Sequence, residues 1–286
     1  MAKQADMAGR ICVVTGATRG IGRAVAEGLA QRGATVVLVA RHPEEGAKAA
    51  QEIAAGSLVP PVIVTADLSS QQSVRKAAAE LGRLFPRLHV LINNAGVFPR
   101  RREVTADGVE LQFAVNHLAY FLLANLLLDR LRAGSPSRII NVASAAHDGA
   151  QIDFEDLQGH RSYNGSRAYS QSKLANILFT YELARRVAGS GITVNCLHPG
   201  VIGTRLLADY MGVPLAGRAL ASTFGAKPER GAETIIYLAT SPEAENVTGR
   251  YFENKRPVRS SRESYDEATA RRLWEISADM TGLTSA

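Results

Sequence analysis

Tyr169 and Lys173 stand four residues apart in the run Tyr-Ser-Gln-Ser-Lys, and Ser144 precedes the tyrosine by 25 positions. On a helix, residues at this spacing share one face. An unperturbed phenol titrates near pH ~10, and a neighbouring cation lowers the pKa of a phenol. The pair therefore indicates a tyrosine that exchanges protons at neutral pH, with Ser144 donating a hydrogen bond to a substrate oxygen. Alone, such a pair is more often an exposed helix face, so the rest of the chain must supply the context.

A glycine-rich turn near the N-terminus supplies part of that context. Gly16-x-x-x-Gly20-x-Gly22 follows a short β-rich run and precedes a segment with helical periodicity. Glycines there permit positive φ and leave room for a diphosphate, and the helix N-terminus presents free N–H groups to phosphates. The turn favours a dinucleotide site over a plain tight turn. The contacts expected from it are Gly16, Thr18, Arg19, Gly20, Ile21 and Gly22.

The end of the second predicted strand indicates which dinucleotide is bound. NAD-specific sites place a carboxylate there to accept from the ribose 2′-hydroxyl. Here the strand ends Val-Ala-Arg41-His, and no acid follows before Glu44. Arg41 and Arg19 could clamp a 2′-phosphate, so NADP(H) is the expected cofactor. The alternative for Arg41 is a solvated charge at a strand end.

Strand-like and helix-like segments alternate from the start of the chain. The predicted strands are Arg10–Thr15, Thr35–Ala40, Val59–Thr65, Leu88–Asn93, Arg138–Ala143 and Thr193–Leu197. The predicted helices are Ile21–Arg32, Pro43–Ala55, Ser69–Phe85 with Ser69 as N-cap, Asp107–Leu131, Ser166–Ala188 and Asp266–Ala278. Continuous apolar strands between helices indicate an α/β Rossmann-type fold, a doubly wound parallel sheet with helices on both faces. No linker interrupts it, so residues 1–286 are expected to form a single domain.

Composition argues against several other classes of protein. The net charge of +6 is spread along the chain, and the one tight basic triplet, Arg100 to Arg102, fits an exposed loop edge better than a nucleic-acid site. Cys12 and Cys196 lie in apolar runs and are expected to be small buried hydrophobes. No stretch has the length and apolarity of a membrane span or signal peptide, so we expect a soluble, cytoplasmic protein. The histidines lack metal-ligand spacing, and no metal is expected.

Taken together, the motifs resemble those of the short-chain dehydrogenase/reductase (SDR) family, over nearly the whole chain. Thr15–Gly22 is similar to the family's cofactor turn, Asn93–Gly96 to the motif after the fourth strand, and Pro199-Gly200-x-x-x-Thr204 to the segment over the nicotinamide. The resemblance implies four catalytic residues, Asn116, Ser144, Tyr169 and Lys173, with Asn116 linked to a water chain that reprotonates the tyrosine. It implies further cofactor contacts at Asp67, Leu68, Asn94, Ala95, Gly96, Tyr169, Lys173, Pro199, Gly200, Val201 and Thr204.

A narrower resemblance points to the retinol-dehydrogenase-like branch of that family. It rests on Thr105-x-Asp-Gly, on the run Asn141-Val-Ala-Ser-Ala-Ala-His, on Ser170-Gln-Ser-Lys-Leu-Ala-Asn and on Leu273-Trp-Glu in the tail. The long stretch between serine and tyrosine also fits that branch. Many members carry an N-terminal membrane anchor, whereas residues 1–9 here are not apolar, so we expect a soluble relative.

Two segments are expected to close the substrate site. Leu206–Phe224 is apolar with glycines and a proline, which suits a mobile substrate lid. The tail, residues 254–286, could form an edge of the pocket or a subunit contact. Tyr163 is a second candidate proton donor, with Arg167 four residues on, but Gly165 and Ser166 place it in the loop before the helix.

These observations favour an NADP(H)-dependent oxidoreductase, a carbonyl reductase or alcohol dehydrogenase, that interconverts an apolar ketone or aldehyde and its alcohol by hydride transfer. A homodimer or homotetramer is expected. The alternative is a non-catalytic NADP(H)-binding regulatory protein of the same fold, but such a protein would not need the tyrosine, lysine and serine. A sugar-nucleotide epimerase fits poorly, because those enzymes usually have a tighter glycine spacing and a larger C-terminal substrate domain than this sequence shows.

Overall fold

The computed structural model describes residues 6–203 and 226–283, and an eight-stranded sheet forms the centre of this part of the chain. The strands are β1 (Ile11–Thr15), β2 (Thr35–Ala40), β3 (Val62–Thr65), β4 (Val90–Asn93), β5 (Ser137–Val142), β6 (Ile192–Leu197), β7 (Arg250–Glu253) and β8 (Arg256–Val258). They lie in the order β3-β2-β1-β4-β5-β6-β7-β8. All neighbours are parallel except β7 and β8.

Helices cover both faces of the sheet. They are α1 (Gly20–Ala30), α2 (Pro43–Ala54), α3 (Gln71–Leu84), α4 (Ala119–Ala133), α5 (Gly165–Arg186), α6 (Pro228–Thr240) and α7 (Glu267–Met280). A π-helical segment, Phe113–Leu118, leads into α4, and short 3₁₀ turns cover Ala145–His147, Pro242–Ala244 and Arg262–Tyr265. The predicted Rossmann-type α/β fold is confirmed, while α6, β7 and β8 were not assigned from the sequence.

β1, β2 and β4 are mostly apolar because both of their faces are buried. In β1, Cys12 and Val14 contact the core beneath α1, α2 and α6, whereas Val13 contacts the core beneath α3, α4 and α5. This alternation is the period of a strand, and it explains the continuous apolar runs. Cys12 and Cys196 are free and buried, and burial raises the pKa of each thiol to about 12. The prediction that they are small buried hydrophobes is confirmed.

Three predicted boundaries are wrong for local reasons. The helix expected from Asp107 begins only after a turn, because Gly108 takes φ +77° and Val104 pairs with Glu110 in an antiparallel bridge. The N-cap of α3 is Ser70, whose hydroxyl oxygen accepts from the amide of Ser73. The third strand begins at Val62 rather than Val59, after two consecutive prolines that have no N–H to donate to a ladder.

The last two strands form the one antiparallel pair in the described sheet. Asn254 and Lys255 connect them with φ of 48° and 64°. A two-residue connection with both φ positive is the turn that matches the twist of a hairpin. Such a short connection joins only antiparallel strands, because parallel neighbours need a long crossover.

Among the described helices, none combines the length and the apolar character needed to cross a membrane.

Candidate functional site

The glycine turn and several other expected site residues follow the carboxyl ends of parallel strands. β1 lies between β2 and β4, so the chain winds outward in opposite directions from this point. In open α/β sheets, ligands bind in the crevice outside the carboxyl ends of the strands at this switch of direction. The glycine turn follows β1, and Asn94, Ala95 and Gly96 follow β4.

Two glycines of the turn, Gly16 and Gly22, have no room for a side chain. Gly16 takes φ +66°, and a Cβ there would lie 2.9 Å from the Cα of Ala95. A Cβ on Gly22 would overlap the carbonyl oxygen of Gly16 and the amide nitrogen of Asn94. No side chain caps the N-terminus of α1. The turn thus lets a diphosphate approach the backbone closely, and the start of α1 offers it N–H groups that no side chain caps. These residues therefore fit a dinucleotide cofactor.

Thr15 was not singled out as a site residue, yet it fixes the geometry of this crevice. Its hydroxyl oxygen accepts from the backbone amides of Asn94 (2.9 Å) and Ala95 (3.1 Å), and the hydroxyl donates to the carbonyl of Ile92 at 3.4 Å. The side-chain amide of Asn94 donates back to the Thr15 carbonyl at 2.9 Å. These bonds hold the segment after β4 against the glycine turn. The sequence analysis included Thr15 in the motif that resembles the family's cofactor turn but gave it no role of its own.

The residues expected to select and hold the cofactor lie around this crevice. Arg19 and Arg41 are both exposed, and neither pairs with a carboxylate of the described residues; Arg41 Nε donates to His42 Nε2 at 3.0 Å. Asp67 follows β3, where its Oδ1 accepts from the amide and hydroxyl of Ser69.

The remaining expected contacts differ in accessibility. The residues that are partly exposed are Thr18, Gly20, Ile21, Leu68, Asn94, Ala95, Gly96 and Pro199. Gly200 is exposed with φ +91°, and the side chain of Val201 is 63% exposed. Thr204 and the predicted lid, Leu206–Phe224, lie outside the described residues.

Tyr169 and Lys173 share one buried face of α5, which begins at Gly165 behind the N-cap Asn164. The Lys173 ammonium nitrogen lies 5.5 Å from the centre of the Tyr169 ring and donates to the carbonyl of Val142 at 3.0 Å. Lys173 is only 2% exposed, and burial lowers its pKa from 10.5 to about 7. The lysine therefore links the tyrosine helix to the end of β5.

Ser144 follows β5 by two residues, next to the strand end that Lys173 contacts. It is half-buried, and its hydroxyl oxygen accepts from the amide of Ala146 at 3.2 Å. Since the oxygen acts as the acceptor in this bond, the hydroxyl hydrogen can point elsewhere and donate. Ser144 thus follows the strand end whose Val142 carbonyl binds Lys173, and Lys173 in turn lies beside Tyr169.

Asn116 lies in the π-helical segment before α4 and is completely buried. Its side chain accepts from the amide of Val97 at 2.8 Å and donates to the Val97 carbonyl at 3.1 Å and to the Ser172 hydroxyl at 3.0 Å. The Ser172 hydroxyl in turn donates to the carbonyl of Tyr169 at 2.7 Å. Asn116 thereby connects the segment after β4 to the turn of α5 that carries Tyr169.

Tyr163 lies in the loop before α5, as Gly165 and Ser166 predicted. Its hydroxyl donates to Glu110 Oε1 at 2.9 Å and accepts from Gln112 Nε2 at 3.0 Å. Burial, together with the Glu110 carboxylate, holds its pKa well above the ordinary value. A phenol engaged in this way is a poor proton donor to a substrate.

The described part of the tail packs against its own chain. The amide of Ser261 donates to Nε2 of His147 at 3.0 Å, and the Ser277 hydroxyl lies 2.9 Å from Nε2 of His117. Trp274 stacks edge-on against Phe121 with ring centres 4.8 Å apart. The tail therefore supports the neighbours of Ser144 and Asn116 from behind.

Comparisons with known proteins identify the family of the chain. Residues 10–211 match the family described as short chain dehydrogenase. The chain belongs to the short-chain dehydrogenase family. It is 46% identical over 292 residues to retinol dehydrogenase 14 of Mus musculus, covering 97% of this chain and 87% of the relative. It is 44% identical to retinol dehydrogenase 13 of Homo sapiens, with 98% and 87% covered. The chain falls in the retinol-dehydrogenase-like branch of the family, as its motifs predicted.

Solved structures show the same fold. A protein from Mycobacterium paratuberculosis superimposes with a TM-score of 0.79 at 35% identity, covering 96% of this chain and 94% of that one. The Pseudomonas aeruginosa RhlG/NADP active-site complex superimposes with a TM-score of 0.71 at 30% identity, covering 88% and 97%.

Proposed function

We propose that this short-chain dehydrogenase is an NADP(H)-dependent oxidoreductase that interconverts an apolar ketone or aldehyde and the corresponding alcohol. The observation that carries the proposal is the buried pair of Tyr169 and Lys173. Lys173 donates a hydrogen bond to the carbonyl of Val142, at the end of the strand that leads to Ser144. A phenol, an ammonium group and a hydroxyl that can donate a hydrogen bond are the groups that carbonyl reduction needs.

Each residue has a distinct part in the proposed reaction. The glycine turn and Asn94 would hold NADPH, which when bound would supply the hydride for the carbonyl carbon. Tyr169 gives its hydroxyl proton to the carbonyl oxygen, and takes a proton from the alcohol in the reverse direction. Ser144 donates a hydrogen bond to the same oxygen, which strengthens as negative charge develops there. Lys173, when protonated, favours the phenolate and can also hold a ribose hydroxyl of the cofactor.

The family resemblance implies that Asn116 takes part in proton transfer to Tyr169 through a water chain. The hydrogen bonds of its side chain limit which of its atoms can hold that water. Both hydrogens of its side-chain amide are engaged, with Val97 and Ser172. A water that reprotonates Tyr169 must therefore be held by the Asn116 backbone carbonyl or by the remaining lone pair of Oδ1. A π-helical segment rearranges backbone carbonyls at this position, as such segments frequently do at functional sites.

The preference for NADP(H) is supported by Arg19 and Arg41. Each guanidinium is exposed near the expected ribose and has no carboxylate partner among the described residues. A 2′-phosphate would gain charge-assisted hydrogen bonds from them, whereas NAD offers only a hydroxyl. RhlG, a similar protein by structure, is described in complex with NADP.

An apolar substrate is supported by the surroundings of Tyr169 and by the relatives. The ring of Phe98 meets the Tyr169 ring edge-on at 5.4 Å, and the exposed side chain of Val201 is apolar. The curated relatives are named retinol dehydrogenases, whose named substrate is a long apolar alcohol. Retinoids therefore belong in a substrate panel with shorter apolar aldehydes and ketones.

The test begins with titrations of NADPH and NADH on the wild type, Arg41→Ala and an exposed control on α3, Arg83→Ala. Loss of a charge-assisted bond worth ~1.5–3 kcal/mol should weaken NADPH by roughly tenfold or more. We expect little change for NADH in any variant. Equal losses for both cofactors in Arg41→Ala would contradict the phosphate clamp.

The wild-type protein is then assayed with each carbonyl and alcohol of the panel, and the absorbance of the nicotinamide reports its oxidation or reduction. Turnover with at least one apolar carbonyl is expected. Tight NADPH binding without turnover of any compound would instead favour the non-catalytic regulatory protein.

A further inference from the structure

A histidine next to Ser144 connects it to the C-terminal segment. The Ser144 carbonyl accepts from the backbone amide of His147 at 3.1 Å and from its ring nitrogen Nδ1 at 2.6 Å. On the other side of the ring, Nε2 accepts from the backbone amide of Ser261 at 3.0 Å. The two ends of this link are 117 residues apart in the sequence.

The partners fix the tautomer of the ring. A backbone carbonyl can only accept and a backbone amide can only donate, so Nδ1 carries the hydrogen and Nε2 carries none. The neutral imidazole has one donor and one acceptor, and both are used here. The ring is also held by packing, since His147 is 4% exposed and lies 5.0 Å from the ring of Tyr251.

The segment at the far end of the link is itself tied to α5. The hydroxyls of Tyr181 and Ser260 are 2.7 Å apart, and the Ser264 hydroxyl donates to the Ser261 carbonyl at 2.7 Å. Tyr181 lies on α5, as do Tyr169 and Lys173. The strand end that precedes Ser144 is therefore joined to α5 directly, because Lys173 and Asn176 both donate to the Val142 carbonyl, and indirectly through His147 and the tail.

We propose that His147 is a positioning residue that holds the Ser144 turn in place for the reaction and couples it to the C-terminal segment, residues 260–265. The inference rests on the proposed function. Without this link, Ser144 would precede a single 3₁₀ turn that only local hydrogen bonds hold. One residue of that turn, Ala145, is exposed. A hydrogen-bond donor that is misplaced by about 1 Å can lower a rate by about 10²-fold.

The test compares kinetics of the wild type with His147→Ala, His147→Asn and an exposed control, His160→Ala. His147→Ala should lower kcat by roughly ten- to a hundredfold while KM for the carbonyl changes little, because the Ser144 bond strengthens in the transition state. Asparagine places an amide N–H near the position of Nδ1, so His147→Asn should recover part of kcat. Wild-type kcat in His147→Ala, or equal rates in His147→Ala and His147→Asn, would overturn the positioning role.

A second readout does not depend on turnover. In a ¹⁵N-histidine spectrum, the resonance lost in His147→Ala should show the Nδ1–H tautomer, and hydrogen exchange of the Ser261 amide should be faster in that variant. An Nε2–H tautomer, or unchanged exchange at Ser261, would overturn the link. If the wild type reduces no carbonyl, the proposed function fails, while these two measurements still decide whether His147 holds the Ser144 turn to the tail.

Discussion

Lys173 allows a quantitative prediction, because its amino group is buried and pairs with no carboxylate of the described residues. Burial lowers its pKa from 10.5 to about 7 in the folded chain. Between those values the unfolded chain holds a proton that the folded chain lacks, so the free energy of unfolding rises with pH. The slope from this one group is about 1.4 kcal/mol per pH unit, present from about pH 7 to 10.5 and absent outside that window.

The measurement is urea unfolding of the cofactor-free protein at several pH values between 7 and 9.5. Lys173→Met keeps an unbranched side chain but removes the titrating group. The difference in unfolding free energy, wild type minus Lys173→Met, should rise with pH at about that slope. Lys48→Met, at an exposed position on α2, should give a difference that stays flat. A flat difference for Lys173→Met as well would show that the folded chain leaves this lysine at its ordinary pKa, and would refute the reasoning.

Three further predictions follow from buried contacts. In Gly22→Ala the added methyl group would overlap the side-chain amide of Asn94, and the strain of ~1–3 kcal/mol should weaken NADPH binding roughly tenfold in a titration. Unchanged affinity would contradict the role of the glycine turn in holding the cofactor. Burial lowers the pKa of His117 to about 3, so between about pH 6.5 and 3 the unfolded chain binds a proton that the folded chain does not, and the free energy of unfolding should fall as the pH drops. In acid unfolding experiments, His117→Leu should lack that loss. Trp274→Ala removes a ring packed on Phe121 and should cost ~3–5 kcal/mol in urea unfolding; a loss below ~1 kcal/mol would mean that α7 is not docked.

The fold and the candidate site were predictable where the physical signal is local. Strand β2 appears in the structure with the bounds that its apolar run predicted, because burial of both of its faces favours apolar side chains. Gly165 and Ser166 likewise separated Tyr163 from Tyr169, since the helix begins at Gly165. The prediction of a parallel sheet held for the neighbours from β3 to β7.

Contacts between distant residues were not predictable from one sequence. Thr15 meets Asn94 across 79 residues, and the His147–Ser261 bond spans 114. Both bonds involve backbone groups, whose partners depend on the path of the chain rather than on residue type. The π-helical segment around Asn116 likewise leaves no periodicity that differs enough from an α-helix to be recognised.

The central claim, that Tyr169 is the proton donor and Tyr163 is not, is tested most directly by comparing Tyr169→Phe with Tyr163→Phe. Both variants lose one phenolic hydroxyl, six residues apart on the same stretch of chain. With the carbonyl that the wild type reduces best, Tyr169→Phe should lose at least ~10²-fold in kcat while NADPH affinity is kept. Tyr163→Phe should keep kcat within a few-fold and lose only stability, because its hydroxyl is bonded to Glu110 and Gln112. Wild-type kcat in Tyr169→Phe would contradict the mechanism.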